Sequence, residues 1–136
     1  MKNFEKKNKL RKIEKDIKRE FKFLRDIKEV EAVLLYGSYA KGEETPRSDI
    51  DVCVVAPSLK TPKEFSKLLL KIWGKINANK YDVRIFEELP LYIKIDIINN
   101  NKVIFSKRGI PELSYYFYHY RKIWNDQSVN WFEKKI

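Results

Sequence analysis

A chain of 136 residues is long enough for one hydrophobic core, and 29 Lys and Arg against 19 Asp and Glu give it a net charge of +10. Its 43% hydrophobic and 35% charged residues are ordinary for a globular protein; no apolar run approaches the roughly 18–20 residues that span a bilayer, and the charge-rich first thirty residues predict no secretory signal. A single cysteine, Cys53, excludes an internal disulfide and suits a reducing cytoplasm.

In chain order, Leu10, Ile13, Ile17, Phe21, Leu24, Ile27 and Val30 recur at spacings of three and four. That predicts one long amphipathic helix over about 1–30 with lysines on its outer side. Ala32-Val33-Leu34-Leu35-Tyr36 is short and apolar enough for a buried strand, followed by a Gly37-Ser38 turn. A loop over 42–48, carrying Pro46, leads to a second strand over 50–55. Thr61-Pro62-Lys63-Glu64 predicts a helix start, with Thr as N-cap, Pro at the first helical position and Glu three residues on. Phe65, Leu68, Leu69, Ile72, Trp73 and Ile76 form its apolar stripe. A third strand over 81–86 alternates Tyr81, Val83 and Ile85 with Asp82, Arg84 and Phe86. Pro90 opens a helix to about 98, a short strand covers 103–105, and Pro111 opens a last helix rich in Tyr and Trp. No repeat, low-complexity stretch or linker interrupts the chain. The expectation is one α+β domain (two-layer α/β) over 1–136, made of an N-terminal helix 1–30, a core 31–106 and a C-terminal helical region 107–136.

Chemistry concentrates in Gly37-Ser-Tyr-Ala-Lys-Gly-Glu-Glu-Thr-Pro-Arg-Ser-Asp-Ile-Asp51. Asp49 and Asp51 stand two apart at the start of a strand and so share a face. Two carboxylates at the edge of a core repel each other unless a cation lies between them, which points to a divalent metal. If the third strand lies beside the second, Asp82 points to the same face, and three carboxylates could hold two Mg²⁺ ions about 3.5–4 Å apart. Read alone, Asp82 is equally a surface aspartate. Gly37 can adopt backbone angles closed to other residues, and Ser38 would begin a helical turn whose free N–H groups face an anion. The spacing is not that of a P-loop, which needs Gly-Lys followed by Ser or Thr. Cys53 shares the face of the aspartates, but with no second cysteine nearby it reads as a plain buried thiol.

The Gly-Ser pair, ten intervening residues and Asp49-Ile50-Asp51 resemble the signature of nucleotidyltransferases of the DNA polymerase β superfamily. With Tyr81 to Phe105 downstream, the chain resembles their minimal branch from about 32 to 105. The resemblance implies a polymerase-β-like nucleotidyltransferase fold, a small mixed sheet of about four strands flanked by helices. It implies that Gly37 and Ser38 bind nucleotide phosphates and that Asp49 and Asp51 hold Mg²⁺. Asp82, as third carboxylate, would bind one metal and help deprotonate the attacking hydroxyl. Many members of this branch are antitoxins that transfer AMP from ATP to a tyrosine of a partner HEPN-type RNase toxin. Nucleoside triphosphate and such a toxin are therefore the expected partners, and a homo-oligomer stays open.

The chain also departs from the family pattern. Lys41 stands where relatives often carry Arg and offers a triphosphate a point charge without a bidentate fork. Arg84 follows Asp82 on one face and could either neutralise it or reach a phosphate. Arg47 and Ser48 precede the aspartates as in relatives, either as substrate contacts or as a loop cation and a cap. His119, the only histidine, reads as a partly buried packing residue, and the aromatic stretch from Tyr115 to Trp131 suggests a protein interface. Two other readings stand beside protein AMP transfer: an antitoxin acting by complex formation with weak catalysis, and a small-molecule nucleotidyltransferase of the aminoglycoside type. The roughly 30 residues after Phe105 leave little room for the extra domain the latter needs. Nucleic acid is not expected as a direct substrate, since nothing in the chain would grip a template.

Overall fold

The computed structural model describes residues 2–45 and 49–135, with side chains over 3–45 and 49–127. Its elements are α1 (Lys2–Glu20), a 3₁₀ turn (Lys22–Asp26), β1 (Ala32–Tyr36), α2 (Ser38–Lys41), β2 (Ile50–Val55) and α3 (Pro62–Trp73). They continue with β3 (Tyr81–Ile85), a second 3₁₀ turn (Phe86–Glu88), α4 (Leu91–Asn99), β4 (Lys102–Ser106) and α5 (Ile110–Lys135). Among the described residues no helix is long and apolar enough to cross a membrane.

The N-terminal helix predicted through 30 stops at Glu20. Beyond it the backbone winds more tightly: the N–H groups of Leu24, Ile27 and Val30 donate to the carbonyls three residues back, at 3.1, 3.2 and 3.1 Å. Phe21 and Leu24 are one 3₁₀ turn apart and stay on one line, the chain becomes extended at Ile27, and the turn that follows returns Val30 to the same core. Phe21, Leu24 and Val30 are fully buried as a result. Phe21 meets Tyr81 edge-on at 5.2 Å.

The four strands form one mixed sheet in the order β3-β2-β1-β4. β1 runs antiparallel to β2 and β4, and β2 runs parallel to β3. A parallel pair needs a crossover, and α3 supplies it. This helix begins with the predicted capping box: Thr61 Oγ1 accepts from Glu64 N–H at 3.2 Å while Glu64 Oε1 accepts from Thr61 N–H at 3.0 Å. On one sheet face, α1, the first 3₁₀ turn and α3 bury Ile17, Phe21, Phe65 and Ile72 against Val33, Val52, Val83 and their neighbours. On the other, α4 and α5 bury Ile97, Leu113 and Phe117 against Ala32, Leu34, Cys53 and Phe86. Burying side chains of this size contributes about 1.5–3 kcal/mol each.

Cys53 is fully buried, and burial pushes its thiol pKa well up, as a packing residue requires. His119 departs from expectation, for it is exposed. α5 turns Leu113 and Phe117 to the sheet, which leaves His119 outside with its ring 5.0 Å from Tyr115 and 6.4 Å from Tyr118. Tyr115, Tyr118 and Trp124 of the aromatic stretch are exposed, and Tyr116 and Tyr120 are half-buried. The side chain of Trp131 lies outside the described residues.

Candidate active site

Asp51 and Asp82 meet because two parallel strands are in register. Asp51 of β2 is paired with Asp82 of β3 on one side and with Tyr36 of β1 on the other, a row of three across the sheet. All three side chains lie on the α4/α5 face, since the alternating residues Val52, Tyr81 and Val83 fill the opposite core. Asp49 precedes β2 and is exposed.

Gly37 ends β1 beside this row with φ 74° and ψ −150°, a region only glycine occupies without strain. A side chain there is excluded a second time: a β-carbon would stand 2.9 Å from Asp51 Cγ and closer still to Oδ2. The Asp51 carboxylate therefore lies directly against the backbone that starts α2. In this one-turn helix the first amide to find an acceptor is Lys41 N–H, on Gly37 O at 3.1 Å. The Ser38, Tyr39 and Ala40 amides come before any intrahelical acceptor, a set of donors suited to an anion. Gly42, with φ 73°, closes the turn.

The electrostatics report crowded negative charge. Burial, then Asp82, then Asp49 raise the Asp51 pKa from 3.8 to about 6, with Arg84 pulling the other way. The Tyr36 phenol is pushed up by burial and by Asp51, Cys53 and Asp82. Arg84 Nε donates to Asp82 Oδ1 at 3.2 Å, and this pairing raises the Arg84 pKa further. Of the two readings left open for Arg84, neutralisation of Asp82 is the one the geometry displays. Lys41 Nζ sits 3.1 Å from Asp96 Oδ2 on α4, and Asn100 Nδ2 donates to Asp96 Oδ1 at 3.1 Å. Arg47 and Ser48 lie outside the described residues.

Among the described residues no three His, Cys, Asp or Glu side chains converge tightly enough to ligate one metal ion. The donor set still fits a hard divalent cation. It consists of carboxylate oxygens, Asp51 is crowded by its neighbours' charge, and Asp82 spends one oxygen on an exposed arginine.

The structure brings Gly37, Asp51 and Asp82 together, with Ser38 opening α2 next to Gly37 and Asp49 exposed just before β2; Lys41 is at the rim, held by α4. Tyr36, Asp96 and Asn100 were not anticipated. Strand alternation could have placed Tyr36, because it immediately precedes Gly37. Nothing local marks Asp96, 55 residues from the lysine it pairs with.

The chain matches the family described as Polymerase beta, Nucleotidyltransferase over residues 15–109, and it belongs to that family. It is a nucleotidyltransferase. A relative named "Putative protein adenylyltransferase MJ1547", from Methanocaldococcus jannaschii, is 54% identical over 104 residues, covering 76% of this chain and 73% of that one. Among solved structures, a chain of a toxin–antitoxin crystallised with AMP-PNP matches with TM-score 0.62 and 18% identity, covering 81% of this chain and 87% of that chain. A chain of the tri-AMPylated Shewanella oneidensis HEPN toxin in complex with MNT antitoxin matches with TM-score 0.54 and 18% identity, covering 93% and 99%. At this identity the two structures show a shared fold.

Proposed function

We propose that this chain transfers AMP from ATP to a hydroxyl of a partner protein, a tyrosine of a HEPN-type toxin, and so acts as its antitoxin in the cytoplasm. The whole of 1–136 would serve as one nucleotidyltransferase domain. The observation that carries the reading is the placement of Asp51 against the Gly37 backbone and level with Asp82. It sets the Gly37–Ser38 turn beside paired carboxylates. The 54% identical relative named as a protein adenylyltransferase supports the choice of acceptor class.

In this reading the Ser38, Tyr39 and Ala40 amides and the Ser38 hydroxyl receive the β- and γ-phosphates. Lys41, Arg47 and Ser48 add charge and donors around them. Asp49, Asp51 and Asp82 would hold two Mg²⁺ ions, which supply charge neutralisation at the attacking and leaving oxygens. The acceptor oxygen forms a bond to the α-phosphorus, the bond from that phosphorus to the β-bridging oxygen breaks, and pyrophosphate leaves. The hydroxyl proton passes to an Asp82 oxygen and then to water. Arg84, whose Nε donates to Asp82 Oδ1, holds that carboxylate in place.

The test is incubation with α-labelled ATP, Mg²⁺ and the candidate toxin, followed by mass spectrometry of its tyrosines. We expect AMP on tyrosine, and a loss of at least about a hundredfold in Asp49→Asn or Asp51→Asn with the fold retained. That figure corresponds to about 3 kcal/mol of charge stabilisation at about 1.4 kcal/mol per decade. Full transfer by either variant would remove the carboxylates from the mechanism.

A further inference from the structure

We infer that the outer face of α3 is a binding surface for single-stranded nucleic acid, held as a ligand and not as the acceptor. From Thr61 to Lys75 the chain carries four lysines, at positions 63, 67, 71 and 75, against one acid, Glu64. The lysines recur every four residues. Three lie within α3 and the fourth just past its end, all exposed.

Like charges one turn apart destabilise a helix. A merely solvated face relieves this by interleaving acids, and this one does not. Glu64 is committed to the capping box, where its Oε1 accepts from Thr61 and Lys60 N–H at 3.0 Å each. Glu29 is the other acid at the hollow that Lys67 and Lys71 line. The ion pairs of the described residues join Arg19, Lys41, Lys80, Arg84 and Arg108 to acids elsewhere, and none includes a lysine of this row.

Apolar groups share this outer face: Leu70 lies one turn from Lys67, and Trp73 lies one turn beyond Leu70, on the edge away from Lys71 and Lys75. Leu70 is 66% exposed and Trp73 is 47% exposed, although the helix has an interior stripe of Phe65, Leu68 and Ile72 that could have taken a large ring. A row of cations along one side of an exposed helix face, with an indole on its other edge, can hold phosphates on the first and stack a base on the second. An acidic protein would satisfy the lysines but would not need the ring. α3 covers the sheet face opposite Asp51 and Asp82, so a strand bound there leaves the transfer site open.

The experiment uses the full chain and a fluorescein-labelled 20-nucleotide single-stranded RNA of mixed sequence, titrated between 50 and 300 mM NaCl. At about 0.7 per neutralised phosphate, four contacts give a log–log salt slope near −3. Lys63→Gln/Lys67→Gln/Lys71→Gln should reduce the slope by about 2 and weaken binding at 100 mM salt at least tenfold. Trp73→Ala should weaken binding by about fivefold or more with the slope unchanged. Removing two charges from α5, in Arg121→Gln/Lys122→Gln, should leave both quantities near wild type. Single-lysine variants repeat the measurement should the triple variant melt early. The proposal fails if wild type does not bind at 100 mM salt, or if the triple variant binds unchanged. It fails also if the α5 variant loses as much as the α3 variant, or if polyglutamate displaces the RNA while Trp73→Ala has no effect.

Discussion

Gly37 carries two constraints that usually fall on different residues. Its φ of 74° favours glycine, and the Asp51 carboxylate occupies the space a β-carbon would need. Gly37→Ala therefore combines backbone strain of about 1–3 kcal/mol with displacement of Asp51. We expect a lowered melting temperature together with loss of nucleotide transfer. A mild drop in melting with normal transfer would show that the Asp51 position tolerates movement. At this scale the sequence was most readable where chemistry is local. Gly37, Ser38, Asp49 and Asp51 fall within fifteen residues, and a turn between two apolar runs leaves few ways to place them. Tyr36 and the Lys41–Asp96–Asn100 chain stayed hidden because their partners come from strand register and from a distant helix.

Elements meet at Glu87 in the second 3₁₀ turn. Ala56 N–H at the end of β2 donates to its Oε1 at 2.7 Å, and Tyr116 O–H on α5 donates to its Oε2 at 2.7 Å. Burial dominates these bonds and raises the Glu87 pKa above its usual 4.5. A carboxyl raised in the folded state is protonated there more readily than in the unfolded chain. Its contribution is complete below pH 4.5 and declines as pH rises through the folded-state value. Glu87→Gln keeps an oxygen for Ala56 and has no charge to bury. Its melting temperature relative to wild type should rise from pH 4 toward neutrality and then level off; a flat difference would mean that the charge costs nothing in place. Element boundaries were legible where one signal dominated, as at Thr61 and at β1. The N-terminal helix was read as longer than it is, because a spacing of three suits both an α-helical stripe and a 3₁₀ turn. Only the bonds of Leu24, Ile27 and Val30 separate the two.

Across the whole molecule, a net charge of +10 on 136 residues sets the chain against itself. Raising salt from 10 to 150 mM shortens the screening length from about 30 to about 8 Å, so we expect the melting temperature to rise over that range. A fall would mean that the ion pairs, five of them among the described residues, outweigh the repulsion. The mixed sheet was legible in outline: apolar strands separated by one turn and one capped helix. Which strands would neighbour each other was written nowhere locally, and the pairing of Asp51 with Asp82 follows entirely from it. That pairing has a consequence for the timing of activity. Asp82 emerges from the ribosome a full crossover after Asp51, and the two align only when α3 has folded back over the sheet. A chain caught part-way, or cut before Ile85, holds the phosphate turn without its complete set of carboxylates. Nucleotide transfer thus serves as an internal certificate of maturity: a molecule able to transfer a nucleotide has already finished building its sheet.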